Sequence, residues 1–143
     1  MTLRLADIGV RVDTGGLGGG AAALLNEVAG MLERLARTGE SGLIDLRNLP
    51  LDEFDREKLR AALGEGEIEA TLRADGISRF RETATPGVWW IEHRDARDEL
   101  IAELLEIAPI PDILASPADE LERGALALRA RLDARTAPPK EAP

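Results

Sequence analysis

The side chains that most often carry enzyme chemistry are scarce in this sequence. Its 143 residues include no cysteine and a single histidine, His93. The absence of thiols excludes disulfides, cysteine nucleophiles and cysteine-ligated zinc or iron–sulfur centres, and the histidine has no second ligand at metal-binding spacing. A catalytic His93 would need Glu92 or Asp95 to orient it, so a hydrogen-bonded structural role is the better interpretation. We therefore predict no catalytic residue, no metal site and no bound cofactor.

A glycine-rich run near the N-terminus offers an alternative chemistry. Residues 16–21 read GLGGGA, which fits the G-x-G-x-x-[GA] pattern of loops that hold a dinucleotide pyrophosphate at a helix N-terminus. Such a site would use Gly16, Gly18 and, in the following strand, Asp45. The preceding strand is short and charged, however, and no third parallel strand follows. We favour a flexible linker and keep a small nucleotide-binding domain as the alternative function.

Both tryptophans of the chain stand side by side in ETATPGVWWIEHRD, residues 82–95. Successive residues of a strand point to opposite faces, so Trp89 and Trp90 cannot share one environment. Trp89 alternates with the apolar Ile91, and we predict that it is buried in the core. Trp90 alternates with charged residues such as Glu92, and we predict that it is exposed on the outer face of a sheet.

An exposed indole among charged side chains has the composition of a binding hot spot. Two arginines of the preceding predicted strand would flank Trp90, and a Pro-Gly turn would present it. The alternative is that both tryptophans are covered within the chain. The candidate partner-binding residues are Trp90, Arg79, Arg81, Glu82, Glu67, Pro86 and Gly87.

Hydrophobic periodicity predicts the elements that position these residues. Helices are predicted at residues 21–38, 51–63 and 116–135, with Phe54, Leu59, Ala62 and Leu63 facing inward in the second. Strands are predicted at 43–46, 67–73, 77–85 and 88–93, with tight turns at Asp75-Gly76 and Pro86-Gly87. Residues 99–111 are ambiguous, and we predict a strand because they follow a hairpin turn and run into prolines. The fold class is α+β: a mostly antiparallel sheet, made of a four-strand meander plus a short strand, with helices packed on one face.

Composition sets the domain organisation and limits the partners. Hydrophobic residues make up 44% and charged residues 31% of the chain, as in a globular protein. We predict a flexible N-terminal segment with a short strand over 1–20, one domain over 21–135 and a disordered tail over 136–143. The net charge of −9 disfavours nucleic acid and anionic membranes as partners. The N-terminus does not have the pattern of a signal peptide, so we expect a cytoplasmic protein.

Four strings of the sequence resemble a known family. They are LLNEVAGMLERLARTGESGLIDLRNLPL, LGEGEIEATL, RETATPGVWWIEHRD and ELIAELLEIAPIPDIL. Together they resemble the conserved C-terminal region of the HupH/HyaF-type hydrogenase expression/formation proteins, over roughly residues 24 to 132. The most distinctive pieces are Ile44 to Pro50, Leu63 to Glu67 and Arg81 to Trp90.

The resemblance implies a role in assembling [NiFe] hydrogenases. It implies a non-enzymatic, cytoplasmic chaperone that binds the precursor of the iron–sulfur small subunit, in company with other maturation factors. No catalytic residue is carried over from the family. A scaffold that forms a homodimer through the same sheet face is a further alternative.

Overall fold

The computed structural model of the chain describes residues 19–136. The predicted N-terminal strand, the glycine run up to Gly18 and the predicted tail beyond Thr136 lie outside these residues. The described elements are helices α1 (Gly19–Thr38), α2 (Glu53–Leu63) and α3 (Ala118–Thr136), and strands β1 (Gly42–Asp45), β2 (Glu69–Arg73), β3 (Gly76–Glu82), β4 (Val88–Asp95) and β5 (Leu100–Ile107). The chain divides into two compact units, with the boundary between Asp112 and Ile113.

The five strands of the first unit form one sheet in the order β1-β5-β4-β3-β2, in which every neighbouring pair is antiparallel. Strands β2 to β5 are a meander of consecutive hairpins, and the short β1 adds to the free side of β5. The predicted α+β class is therefore confirmed, and the strand predicted within residues 99–111 is observed as β5, Leu100–Ile107. The period-two burial of β5 explains the second result, because every other residue of its second half is buried.

Helices α1 and α2 cover one face of the sheet. Between them and the sheet lies a core of aliphatic side chains closed by one indole, that of Trp90. Its buried members are Leu24, Val28, Leu46, Leu59, Leu63, Val88, Trp90, Leu105 and Ile107.

The two adjacent tryptophans are separated by the pleat as predicted, but neither is exposed. Trp90 is 5% exposed and faces the helices, so the prediction that it lies on an open outer face is wrong. Its charged neighbours do not mark a solvated face, because Glu92 is paired with Arg81 and Arg94. Trp89 is 2% exposed, which confirms that it is buried, but on the opposite face of the sheet.

The opposite face carries a second apolar row. Phe80 and Ile91 are directly opposite each other on β3 and β4, and both are buried beside Trp89. The chain after β5 folds back toward this row, because the Asp112 N–H donates to the Glu106 carboxylate (2.9 Å), and Glu106 lies directly across from Trp89. Among the described residues, the indole nitrogen of Trp89 has no hydrogen-bond partner.

A capping box defines where helix α2 begins, and two leucines define its buried side. Asp52 and Asp55 form a capping box at its N-terminus. Leu59 and Leu63, one turn apart, are buried, as predicted, whereas Phe54 is 56% exposed and Ala62 is exposed, so their predicted inward position is wrong. Phe54 precedes Leu59 by five residues, which places it about 140° away around the helix.

The second unit contains the helix predicted near the C-terminus. Helix α3 begins at Ala118, and its leucines at 121, 126, 128 and 132 are exposed. No helix within residues 19–136 combines the length and the apolar character needed to cross a membrane.

Two substitutions in α2 test its packing. Replacing Leu59 by alanine should lower the free energy of unfolding by about 2–5 kcal/mol, because a fully buried leucine leaves a cavity. Replacing Phe54 by alanine should lower it by less than about 1 kcal/mol, because the residue is already 56% exposed and its contact with the Lys58 ammonium group, 5.1 Å away, is a weak surface interaction. Urea unfolding followed by circular dichroism measures both. Equal losses would contradict the described orientation of α2.

Candidate functional site

A cleft of about 710 Å³ opens where the C-terminal end of α2 meets β2 and β3. We call it the α2–β3 cleft. It is lined by Arg60, Ala61, Gly64, Glu65, Gly66, Glu67, Ile68, Glu69, Arg81, Glu82, Thr83 and Trp90. These residues come from three separate segments of the chain, and the fold of the first unit brings them together.

The wall of the cleft depends on a close contact between the LGEGE loop and the end of β3. Gly64 ends α2 with a positive φ of 74°, a conformation that favours glycine. Two residues later, the Gly66 N–H donates to the Glu82 carbonyl oxygen (2.9 Å). A Cβ atom on Gly66 would lie 2.6 Å from the Thr83 carbonyl oxygen, so only glycine fits there. The loop is therefore fixed directly against β3.

The turn that follows β3 is held by a buried threonine. The Thr83 hydroxyl lies 2.9 Å from the Val88 carbonyl oxygen and accepts the Thr85 N–H (3.2 Å). Pro86 and Gly87 form the tip of this turn, where Gly87 has a φ of 87° and lies against Leu32. These two residues shape the connection between β3 and β4, and they do not line the α2–β3 cleft.

The floor of the cleft is organised by a buried carboxylate. Glu103, on β5, is 1% exposed. It accepts hydrogen bonds from the Trp90 indole nitrogen (3.1 Å), from the Arg60 guanidinium (3.3 Å) and from the Arg56 guanidinium. A buried carboxylate is stable only when its charge is balanced and its oxygens accept hydrogen bonds, and these donors meet both requirements.

Arg60 connects this buried network to the open space of the cleft. Its guanidinium carbon lies 4.9 Å from the centre of the Trp90 ring, at a distance suited to a cation–π interaction. Its side chain is nevertheless 49% exposed. One edge of the guanidinium is thus fixed by Glu103 and the indole, and the rest is presented to the cleft.

The other charges of the cleft lie on β2, β3 and the LGEGE loop. Arg81 lies 3.8 Å from Glu69 and 3.7 Å from Glu92, with nearly half of its side chain exposed. Four glutamates and two arginines line the cleft, so the lining is acidic overall. The glutamates are Glu65, Glu67, Glu69 and Glu82.

The structure brings together four of the seven candidate residues: Trp90, Arg81, Glu82 and Glu67. Arg79 is exposed on the same sheet face, two residues from Arg81, but does not line the cleft. Arg60 and Glu103 were missed. The sequence does contain a signal for both residues, since Glu103 interrupts the apolar row of β5. A carboxylate that points into the core requires nearby cations, and Arg56 and Arg60 lie one helical turn apart on α2. That these residues bind a partner stays a prediction.

The alternative sites lie elsewhere or outside the described residues. The Nδ1 atom of His93 lies 2.5 Å from the Ser78 hydroxyl on the sheet face opposite the cleft. The carboxylate of Asp45 accepts hydrogen bonds from the Arg47 N–H (3.0 Å) and from the Asn48 amide (2.8 Å). Its strand pairs antiparallel with β5, not in the parallel arrangement of a dinucleotide-binding unit.

Gly16 and Gly18 lie outside the described residues. Within residues 19–136, no group of three or more acidic or histidine side chains is placed to hold a metal ion.

Comparison with known proteins identifies the family to which this chain is similar. Residues 19–135 match the family described as "HupH hydrogenase expression protein, C-terminal conserved region". The chain is 34% identical over 86 residues to the hydrogenase expression/formation protein HoxQ of Azotobacter vinelandii, covering 60% of this chain and 30% of that protein. It is 33% identical over 96 residues to HupH of Rhodobacter capsulatus, covering 67% and 35%. The chain thus spans about a third of the length of these curated relatives.

A solved structure has the same fold. The hydrogenase expression protein HupH from Thiobacillus denitrificans ATCC 25259 aligns with a TM-score of 0.75 and 44% sequence identity. The alignment covers 80% of this chain and 96% of that one.

Replacing Glu103 by glutamine tests the network beneath the cleft. The substitution leaves the guanidinium groups of Arg56 and Arg60 without their counter-charge, and we expect a loss of about 2–4 kcal/mol in the free energy of unfolding. Glu99→Gln, an exposed glutamate before β5, should change stability by less than about 0.5 kcal/mol. Urea unfolding at neutral pH measures both variants. Equal stability of Glu103→Gln and the unmodified chain would show that the ion pairs do not hold α2 to the sheet.

Two glycine-to-alanine substitutions should have different effects on stability and helix content. Gly66→Ala forces a methyl group onto the end of β3 and should destabilise the first unit by about 1–3 kcal/mol. Gly124→Ala in α3 meets no atom within 4 Å, so it should leave the first unit unchanged and raise the helix content of the second. Thermal unfolding and far-ultraviolet circular dichroism distinguish them. A Gly66→Ala variant as stable as the unmodified chain would refute the close packing of the loop.

Proposed function

The chain belongs to the HupH hydrogenase expression family through its C-terminal conserved region, and on that premise we propose that it binds the immature iron–sulfur small subunit of a [NiFe] hydrogenase. Binding takes place in the α2–β3 cleft. The chain acts as an accessory protein beside other maturation factors, and it meets the precursor in the cytoplasm.

The location of the cleft carries this proposal. Two of the three segments most distinctive of the family, residues 63–67 and 81–90, are distant in sequence but meet at the cleft wall and floor. Sites that bind a ligand or partner are typically preformed and concave, with a few oriented polar groups. The α2–β3 cleft has these properties, since Gly66, Thr83 and Glu103 fix its wall and floor through short contacts.

The chemistry of the cleft favours recognition over catalysis. Its arginines are paired with carboxylates, Arg60 with Glu103 and Arg81 with Glu69, an arrangement that orients charges without activating a nucleophile. The single histidine lies on the opposite face of the sheet. We therefore propose a non-enzymatic role for this chain.

Trp90 contributes indirectly to this recognition. Because only 5% of its surface is exposed, the indole cannot serve as the contact that we predicted from the sequence. Its ring packs against the Arg60 guanidinium, and its indole N–H donates a hydrogen bond to Glu103. The groups that can reach a partner are the half-exposed guanidinium groups of Arg60 and Arg81 and the surrounding glutamates.

Removing Arg81 tests the proposal. Arg81→Ala should weaken binding of the purified small-subunit precursor by about thirtyfold, because truncating a hot-spot arginine costs about 2 kcal/mol. Arg97→Ala removes the same charge from the exposed turn between β4 and β5 and should leave the affinity unchanged. Isothermal titration calorimetry gives both affinities, with circular dichroism as a check of folding. A folded Arg81→Ala variant that binds as well as Arg97→Ala would exclude the cleft as the binding site.

A further inference from the structure

We propose that β2 accepts an extended segment of the client as an added strand, with lysine or arginine side chains of that segment placed against the glutamates of the α2–β3 cleft. This inference rests on the proposed function. It specifies the mode of recognition and the chemistry of the segment that is recognised.

The main chain of β2 has an open side. In the described sheet β2 is the last strand and pairs only with β3. The Ile68 carbonyl oxygen accepts the Glu82 N–H (2.9 Å), so Ile68 and every second residue after it direct their main-chain groups toward β3. The intervening residues, Glu69, Thr71 and Arg73, direct their N–H and C=O groups outward. An extended peptide can pair with such an edge through main-chain hydrogen bonds.

Acidic side chains lie at one end of this edge and basic side chains at the other. Glu65, Glu67 and Glu69 are exposed at the end of β2 that borders the cleft. Toward the hairpin turn the charge reverses, with Arg73 and Arg79 exposed on the same sheet face. A segment with basic side chains at one end and an acidic side chain at the other would be complementary to this edge, because opposite charges across a strand pair are stabilising.

The second face of the edge favours an apolar contact. Ile68 is 53% exposed there, next to the partly buried Ala70 and Leu72. Residues of an added strand alternate between the two faces. A segment that alternates charged and aliphatic residues would therefore pair its charges with the glutamates and cover Ile68 with its aliphatic side chains.

A second copy of this chain fits the same edge less well. Antiparallel self-pairing centred on Thr71 would place Glu69 opposite Arg73, which is favourable, but it would also place Glu67 opposite Asp75. Only five residues of each strand would pair. Such a contact is small compared with the surface that a stable dimer buries. Self-pairing would therefore match Glu69 but not Glu67, whereas a basic segment would match both glutamates.

A designed peptide tests the proposal without knowledge of the client sequence. The probe is a fluorescent heptapeptide in which valines alternate with two lysines, a threonine and a glutamate. Fluorescence anisotropy at low salt should show saturable binding to the chain. Two matched peptides should bind at least about tenfold more weakly, one with glutamates in place of the lysines and one N-methylated at alternate residues. Equal binding of all three peptides would overturn the proposal.

Variants of the chain locate the contact. Glu67→Lys combined with Glu69→Lys should weaken peptide binding by about tenfold or more, whereas Glu120→Lys combined with Glu122→Lys on α3 should have no effect. Thr71→Pro removes an outward N–H without breaking a bond to β3, and it should weaken binding, whereas Thr71→Val should not. If Thr71→Pro binds the peptide as well as Thr71→Val, the edge is not used. If ultracentrifugation shows a dimer that Thr71→Pro dissociates, the edge belongs to a second copy and the proposal fails.

The same variants separate this inference from the proposed function. If the small-subunit precursor binds Thr71→Pro normally but binds Arg81→Ala weakly, the cleft is the binding site and strand addition is wrong. If the precursor does not bind the unmodified chain while the basic peptide does, strand addition stands and the proposed client is wrong.

Discussion

One buried carboxylate, that of Glu103, sets the arrangement of the first unit. A charge placed among leucines is strongly unfavourable unless cations and hydrogen-bond donors surround it. Here the donors come from two elements that are distant in sequence, Arg56 and Arg60 on α2 and Trp90 on β4. Any displacement of α2 along the sheet would separate these groups. The carboxylate therefore fixes the position of the helix, and the position of the helix defines one side of the cleft.

The opposite side of the cleft is fixed by backbone contacts. Gly66 approaches β3 so closely that a side chain would collide with the Thr83 carbonyl oxygen. The LGEGE loop therefore cannot move independently of β3. Because the helix and the loop are both held in place, the cleft is already formed before a partner binds. Such a site loses little conformational entropy on binding. Two of the three segments most distinctive of the family, residues 63–67 and 81–90, thus both stabilise the fold and lie at the site.

The sequence predicts this fold better than it predicts the site. Helix ends, the Asp75-Gly76 turn and the strand nature of residues 100–107 follow from local patterns that the structure confirms. The prediction that Trp90 is exposed is wrong because charged neighbours on a strand do not by themselves indicate a solvent-exposed face. In the structure Glu92 is paired with Arg81 of the neighbouring strand, and Glu103 is paired with Arg56 and Arg60 of α2. Such pairing is decided by tertiary contacts, which the local alternation of residues does not encode.

The most direct test of the central claim, that the client binds in the α2–β3 cleft next to Trp90 and Glu103, uses the two indole N–H groups. In a spectrum of the nitrogen-15-labelled chain they give separate signals, since Trp90 donates to Glu103 whereas Trp89 has no partner among the described residues. Addition of the unlabelled small-subunit precursor should shift the Trp90 indole signal, together with the amides of residues 64–69 and 81–83, and leave the Trp89 indole signal in place. A shift of the Trp89 signal with no change at Trp90 would contradict the account and place the client on the opposite face of the sheet.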